Sequence, residues 1–86
     1  MKIKKNIALS DSGFVFDPAT GDSFTTNPIG LDIIKMLKEG KTLQEVKSGI
    51  LKKYLIDEAT FEKDNYDFIN MLTKHRLIEE NEKEKN

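Results

Sequence analysis

The N-terminal third of the chain alternates between apolar and polar residues and shows no helical period, which predicts β-strands. Residues 2–8 alternate in this way and predict a first strand with one buried face. A Ser-Asp-Ser-Gly break then precedes two further β-prone segments, residues 14–16 and 23–26. Pro18 and Gly21 lie between these segments and suit a tight turn, so the two segments predict a hairpin.

The rest of the chain predicts three amphipathic helices, because apolar residues recur at intervals of three and four. Each helix begins at a residue type that caps free backbone N–H groups. The predicted helices run from Asn27 to Gly40, from Thr42 to about Leu55, and from Asp57 to about His75. Leu77 and Ile78 predict a short extended segment that returns to the core, and residues 79–86 predict a disordered charged tail.

Length and composition indicate one small domain. The chain has 86 residues, of which 37% are hydrophobic, enough for one modest core. Fourteen basic and 15 acidic residues give a net charge of -1, which disfavours binding to nucleic-acid phosphates. The absence of cysteine excludes a disulfide framework and suits the cytoplasm. The N-terminus lacks an apolar stretch long enough for a signal peptide or a membrane span, so we expect a cytoplasmic protein without a membrane partner.

Few residues are candidates for catalysis or for binding a metal ion or a cofactor. His75 is the single histidine and has no cysteine or second histidine to help it bind a metal or activate a nucleophile. Gly13 and Gly21 are isolated and form no phosphate-binding loop. The remaining acids are typical of turns or of a solvated helix face, and they include Asp11, Asp17, Asp22, Glu58, Glu62, Asp64 and Asp67. We therefore expect no enzymatic activity, no metal and no cofactor.

Two kinds of binding function stay open at this point. Lys47, Lys52 and Lys53 on the second helix would suit a DNA-binding winged helix, although a lysine-rich solvated face is the commoner explanation. The segment 23–26 is short and β-prone and lacks the lysine or proline that usually protects a sheet edge. A partner strand could therefore add there by main-chain pairing. Alternatively, Phe24 is a core residue and the edge is covered, or the edge pairs with a second copy of the chain.

Several motifs, in their order along the chain, resemble the PqqD-like family of peptide-binding domains, also called precursor-peptide recognition elements. The resemblance covers about residues 3–78. It rests on Phe24-Thr25-Thr26-Asn27 before the first helix, Ile33 to Gly40 followed by Lys41-Thr42, Glu45-Val46 through Tyr54, and Asp64 through Phe68-Ile69, Leu72 and Leu77-Ile78. It implies a single domain over residues 1–78.

This resemblance implies an α+β, winged-helix-like fold in which three N-terminal antiparallel strands are followed by three α-helices. It also implies a non-catalytic module that holds the leader segment of a ribosomally made precursor peptide as an added strand. Such a module presents the peptide to a modifying enzyme, often a radical-SAM protein. The residues implied to bind peptide are Asp22, Ser23, Phe24, Thr25 and Thr26 on the third predicted strand, and Asn65, Phe68, Ile69 and Leu72 on the third helix.

Two positions depart from the family's usual pattern. The family often has an aliphatic residue where Asn65 stands, so the apolar character of the groove differs here. It often has a glycine where Arg76 stands, and arginine adopts a left-handed backbone less readily than glycine.

Phe68 and Leu72 could equally belong to the core. We expect a monomer or a weak homodimer.

Overall fold

The computed structural model of the chain describes residues 2–79. Its strands are β1 (Lys2–Ile3), β2 (Ala8–Leu9), β3 (Phe14–Phe16), β4 (Ser23–Thr25) and β5 (Ile78–Glu79), and its helices are α1 (Pro28–Lys38), α2 (Leu43–Lys53) and α3 (Glu58–Lys74). Three antiparallel strands, β2 to β4, are thus followed by three helices, which confirms the predicted α+β fold. Glu79 ends β5, whereas residues 80–86 of the predicted tail lie outside the described residues.

The strands form two small antiparallel sheets. One sheet has the order β2-β3-β4, and the other pairs β1 with β5, with Ile3 opposite Ile78. The return of the chain after α3 is therefore confirmed. The single strand predicted over residues 2–8 is divided, because Lys5 and Asn6 form a turn. Ile3 and Ile7 are both buried, one on each side of this turn, and this is why the segment has the pattern of one half-buried strand.

The three helices begin at the predicted caps. The side-chain oxygen of Asn27 accepts the Gly30 N–H at 2.8 Å, and that of Asp57 accepts the Thr60 N–H at 2.8 Å. At α2, Thr42 and Glu45 each accept the other's backbone N–H, which forms a capping box. The side chains thus satisfy N–H groups that lack a partner inside the helix.

Side chains from both sheets and all three helices form one hydrophobic core. Its buried members are Ile3, Ile7, Val15, Ile33, Ile34, Leu37, Val46, Ile50, Phe61, Leu72, Leu77 and Ile78. Every one is aliphatic or aromatic, so burial away from water stabilises the arrangement of strands and helices together. Within residues 2–79, no helix has the length and apolarity to cross a membrane.

Asp17 organises the loop between β3 and β4. Its side chain is only 1% exposed and accepts hydrogen bonds from the Ala19 N–H at 2.9 Å and from Lys4 Nζ at 3.4 Å. Burial raises the pKa of Asp17, but the bonds from Ala19 and Lys4 outweigh it and hold the pKa below its usual value. The loop is therefore held by a buried carboxylate rather than by its turn residues alone.

Candidate functional site

β4 is an edge strand of its sheet. It pairs with β3 on one side, and among residues 2–79 no strand pairs with its other side. Ser23 and Thr25 are exposed there, whereas Phe24 between them is half-buried against the core. The edge identified in the sequence is thus present, and no strand from residues 2–79 covers it.

The register of the hairpin determines which backbone groups face this open edge. The Thr26 N–H donates to Gly13 O at 2.8 Å, and the Asp17 N–H donates to Asp22 O at 2.9 Å. Hydrogen-bonded pairs alternate along an antiparallel ladder, so Phe24, opposite Val15, also bonds to β3. The N–H and C=O groups of Ser23 and Thr25 therefore point away from β3, toward the open side.

Helix α3 lies beside β4 and runs in the opposite direction. Near the middle of β4, the ring of Phe24 stacks on His75 at the end of α3, with a centroid distance of 5.6 Å. Past its end, Thr26 and Phe68 both reach Gly30 of α1, where a β-carbon would overlap Thr26 Oγ1 and lie 3.1 Å from the Phe68 ring. A peptide added to β4 would thus lie alongside α3.

A groove of about 370 Å³ lies between α1 and α3, at the end of β4. It is lined by Asn27, Ile29, Gly30, Ile33, Ile56, Phe61, Asp64, Asn65, Asp67 and Phe68. Its volume lies within the range of about 300–1,000 Å³ that is usual for ligand sites. The side-chain Oδ1 of Asn65 is buried and has no hydrogen-bond donor among the described residues. The groove thus combines an apolar surface with polar groups that accept hydrogen bonds.

The structure separates the residues that the sequence grouped on α3. Phe68 lines the groove beside β4. Ile69 lines a different groove, between α2 and α3, together with Leu43 and Tyr66, and Asn65 lines both grooves. Leu72 is completely buried and belongs to the core, so its side chain is not part of a surface groove.

The β4 residues that the sequence grouped also differ in what they expose. Ser23 and Thr25 present backbone groups, whereas Phe24 and Thr26 have theirs directed to the β3 side of the hairpin. The Asp22 C=O accepts from the Asp17 N–H, and the Asp22 N–H donates to Thr20 Oγ1. Asp22 is exposed and can contribute only its side chain.

Sequence reasoning missed several residues that line the groove, above all Asp64 and Asp67. Their sequence context is typical of a solvated helix face, and both are indeed exposed. Asp64 lies four residues before Phe68 and three residues before Asp67, and residues three or four apart share a helix face. That spacing is the signal in the sequence that could have identified them.

Two of the three lysines of α2, Lys47 and Lys53, pair with acids. Lys47 lies 2.6 Å from Glu62 and also pairs with Glu58, and hydrogen bonds to Glu58 and Glu62 raise the pKa of Lys47. Lys53 lies 2.9 Å from Asp32, and this hydrogen bond raises the pKa of Lys53. The positive charges that would contact DNA are thus partly neutralised inside the protein, which gives the DNA-binding alternative no support.

The described residues also give no basis for a metal centre. Within residues 2–79, no three His, Cys, Asp or Glu side chains are arranged so that they could hold a metal ion. The features of the site are an open strand edge and a partly apolar groove, and both are typical of peptide recognition.

Comparison with known proteins agrees with this class of site. Residues 13–78 match the family model described as coenzyme PQQ synthesis protein D (PqqD), and the chain belongs to this PqqD family. The structure is similar to that of TbiB1 in complex with the TbiA(β) leader peptide, with a TM-score of 0.82 and 31% sequence identity. The match covers 94% of this chain and 98% of TbiB1. Comparison with curated proteins gives no match.

Proposed function

We propose that this protein binds the leader segment of a ribosomally made precursor peptide by strand addition to β4. The observation that carries the proposal is the outward direction of the N–H and C=O groups of Ser23 and Thr25 at an open edge. Membership of the PqqD family and similarity to TbiB1, a protein solved with a leader peptide, support it.

In this mechanism the peptide backbone pairs with β4, and alternate peptide side chains face α3. Main-chain hydrogen bonds supply affinity that depends little on sequence, whereas the pockets beside the strand supply specificity. Phe24 and Phe68, both half-buried, offer apolar contact to those side chains. The peptide would be held extended, as a modifying enzyme needs in order to reach residues beyond the leader.

The protein's own role in the proposal is non-catalytic. A separate enzyme, such as a radical-SAM protein, would carry out the modification while the leader stays bound to β4. The cytoplasmic location and the monomeric or weakly dimeric state stay predictions from the sequence.

Thr25→Pro tests strand addition directly. Proline removes the Thr25 N–H, which points away from β3, so the bonds of the hairpin itself are retained. We expect affinity for the leader of the precursor encoded beside the gene to fall about tenfold or more, since one hydrogen bond is lost and the ring obstructs the edge. Isothermal titration calorimetry measures the change.

Thr25→Val is the matched control, because it keeps the backbone N–H and the β-branched shape and removes only the hydroxyl. Its affinity should stay within about twofold of wild type, with both variants checked by circular dichroism and melting temperature. A folded Thr25→Pro protein that binds the leader as tightly as Thr25→Val would contradict strand addition at β4.

A further inference from the structure

The groove between α1 and α3 has an unusual balance of charge. Its polar lining consists of the carboxylates of Asp64 and Asp67 and the amides of Asn27 and Asn65, and no lysine or arginine within residues 2–79 lines it. The remaining lining is apolar apart from Gly30. A bound side chain would therefore meet negative charge above an aliphatic and aromatic surface.

The acids of α3 fall into two groups with different surroundings. Glu58 and Glu62 lie toward α2 and both pair with Lys47. Asp64 and Asp67 lie on the groove, and among residues 2–79 neither has a basic side chain within 4 Å. The negative charge at the groove is thus not compensated by the described part of the protein, whereas the charge on the α2 side is.

Asn65 lines this groove and also the groove between α2 and α3. Its Oδ1 is buried, and no described residue donates a hydrogen bond to it. An atom without exposed surface offers no contact to a ligand in the groove, so the carboxylates of Asp64 and Asp67 are the charged groups that a bound side chain meets.

We propose that this groove binds an arginine side chain of the leader peptide and that Asp64 and Asp67 select it. The inference rests on the proposed function and adds the type of one side chain of the bound leader peptide. The aliphatic stem would cover Ile29 and Phe68, while the guanidinium reaches the carboxylates at the rim. Arginine fits better than lysine, because its planar fork of five donors can serve two carboxylates together.

The location of the groove also predicts where the arginine lies in the peptide. Asn27 lines the groove and follows β4 by two residues, so the groove begins where the edge strand ends. The arginine therefore lies just outside the segment that pairs with Ser23 and Thr25, at the Thr25 end. A strand-forming stretch flanked on one side by arginine is the expected consensus.

Selection from a phage-displayed library of random 12-residue peptides tests this inference even when the natural client is unidentified. The library is selected in parallel on wild type, on an Asp64→Asn/Asp67→Asn variant, and on an Asp11→Asn/Glu39→Gln control. The control removes the same number of negative charges from residues that do not line the groove. Circular dichroism and melting temperature confirm that all three proteins are folded.

We expect wild type and the control to enrich arginine at one position beside a β-prone stretch, and the Asp64→Asn/Asp67→Asn variant to lose that enrichment. In a synthetic peptide from the selected consensus, replacement of arginine by its neutral analogue citrulline should weaken binding to wild type about tenfold, but binding to the variant less than twofold. The affinity of wild type should also fall with added salt.

Two results would overturn the proposal in distinguishable ways. A strand-like consensus without a basic position, or equal arginine enrichment on the Asp64→Asn/Asp67→Asn variant, would refute the arginine site and leave strand addition intact. Failure of wild type to enrich any peptide would contradict the proposed function, and the arginine site with it.

Discussion

Gly30 is the residue at which three parts of the site meet. A β-carbon at this position would overlap Thr26 Oγ1 and press on the ring of Phe68, so the missing side chain allows the end of β4, α1 and α3 to approach each other. The glycine lies inside a helix, where alanine is normally better by about 1 kcal/mol. Packing at the site thus overrides helix propensity at this position.

Gly30→Ala should therefore destabilise the protein. Overpacking of a close contact costs about 1–3 kcal/mol, and the gain in helix propensity is about 1 kcal/mol, so we expect a net loss of up to about 2 kcal/mol in the free energy of unfolding. Urea denaturation measures it. Gly49→Ala is the control, since its β-carbon would meet only the flexible end of Met36, and we expect it to be neutral or stabilising.

Increased stability of Gly30→Ala, equal to that of Gly49→Ala, would contradict the close packing at Thr26 and Phe68. Leader binding should also weaken in a folded Gly30→Ala protein, because the displaced Phe68 ring lines the groove.

Arg76 has a left-handed backbone, with a φ of 60°, and no other non-glycine residue within 2–79 has a positive φ. This is the position at which the family often has glycine. The left-handed conformation costs a non-glycine residue about 1–2 kcal/mol, and glycine avoids this cost. Glycine also makes the unfolded chain more flexible, which lowers the free energy of unfolding by about 0.4–1 kcal/mol and offsets part of the gain. Arg76→Gly should therefore stabilise the protein by about 0.5–1 kcal/mol in urea denaturation.

Arg76→Ala separates backbone strain from loss of the side chain. It removes the exposed guanidinium but keeps the strain, so its stability should stay at or below that of wild type. Equal gains for the glycine and alanine variants would show that the side chain, and not the backbone, limits stability.

At the scale of elements, the β3–β4 hairpin depends on the buried Asp17 carboxylate. The folded-state pKa of Asp17 is below its usual value of 3.8, since the bonds from Ala19 and Lys4 outweigh the effect of burial. A carboxyl group whose pKa is lower in the folded state than in the unfolded state stabilises the fold at pH values above its unfolded-state pKa. This stabilisation is lost as the pH falls through its folded-state pKa. The ionised carboxylate therefore stabilises the hairpin at neutral pH.

We expect Asp17→Asn to be less stable than wild type between about pH 5 and 7, and this difference to shrink below about pH 4 as wild-type Asp17 becomes protonated. Urea denaturation at a series of pH values measures it. Asp57, whose pKa is lowered by hydrogen bonds from Thr60, contributes equally to both proteins, so the comparison isolates Asp17. A difference that stays constant down to about pH 3 would contradict the role of the charge.

The helices could be predicted from the sequence because their starts depend on local chemistry. Asn27, Thr42 and Asp57 each cap a helix by accepting the N–H of the residue three positions further on, and such short-range patterns are visible in one sequence. The strands were harder to predict from the sequence. The turn at Lys5 and Asn6 divides the first one, and β1 pairs with β5 from the other end of the domain, a contact that local pattern does not specify.

At the scale of the whole molecule, the site is built from segments that are distant in the sequence. β4 and α3 meet through packing on α1, so the sequence could indicate an edge and an amphipathic helix but not which helical face lies beside the edge. Leu72 is buried in the core and Ile69 lines the groove on the α2 side, and their assignment to the peptide site stays a prediction. The direction of the Ser23 and Thr25 backbone groups depends on hairpin register, which the sequence left open.

The most direct test of peptide binding at this site is an amide NMR titration of the isotope-labelled protein with the leader of the precursor encoded beside its gene. Strand addition to β4 predicts that shift changes concentrate on Ser23–Thr25 and on Asn65, Phe68 and His75. Changes that instead concentrate on the groove between α2 and α3, at Leu43 and Tyr66, or an absence of changes along β4, would contradict strand addition at this edge.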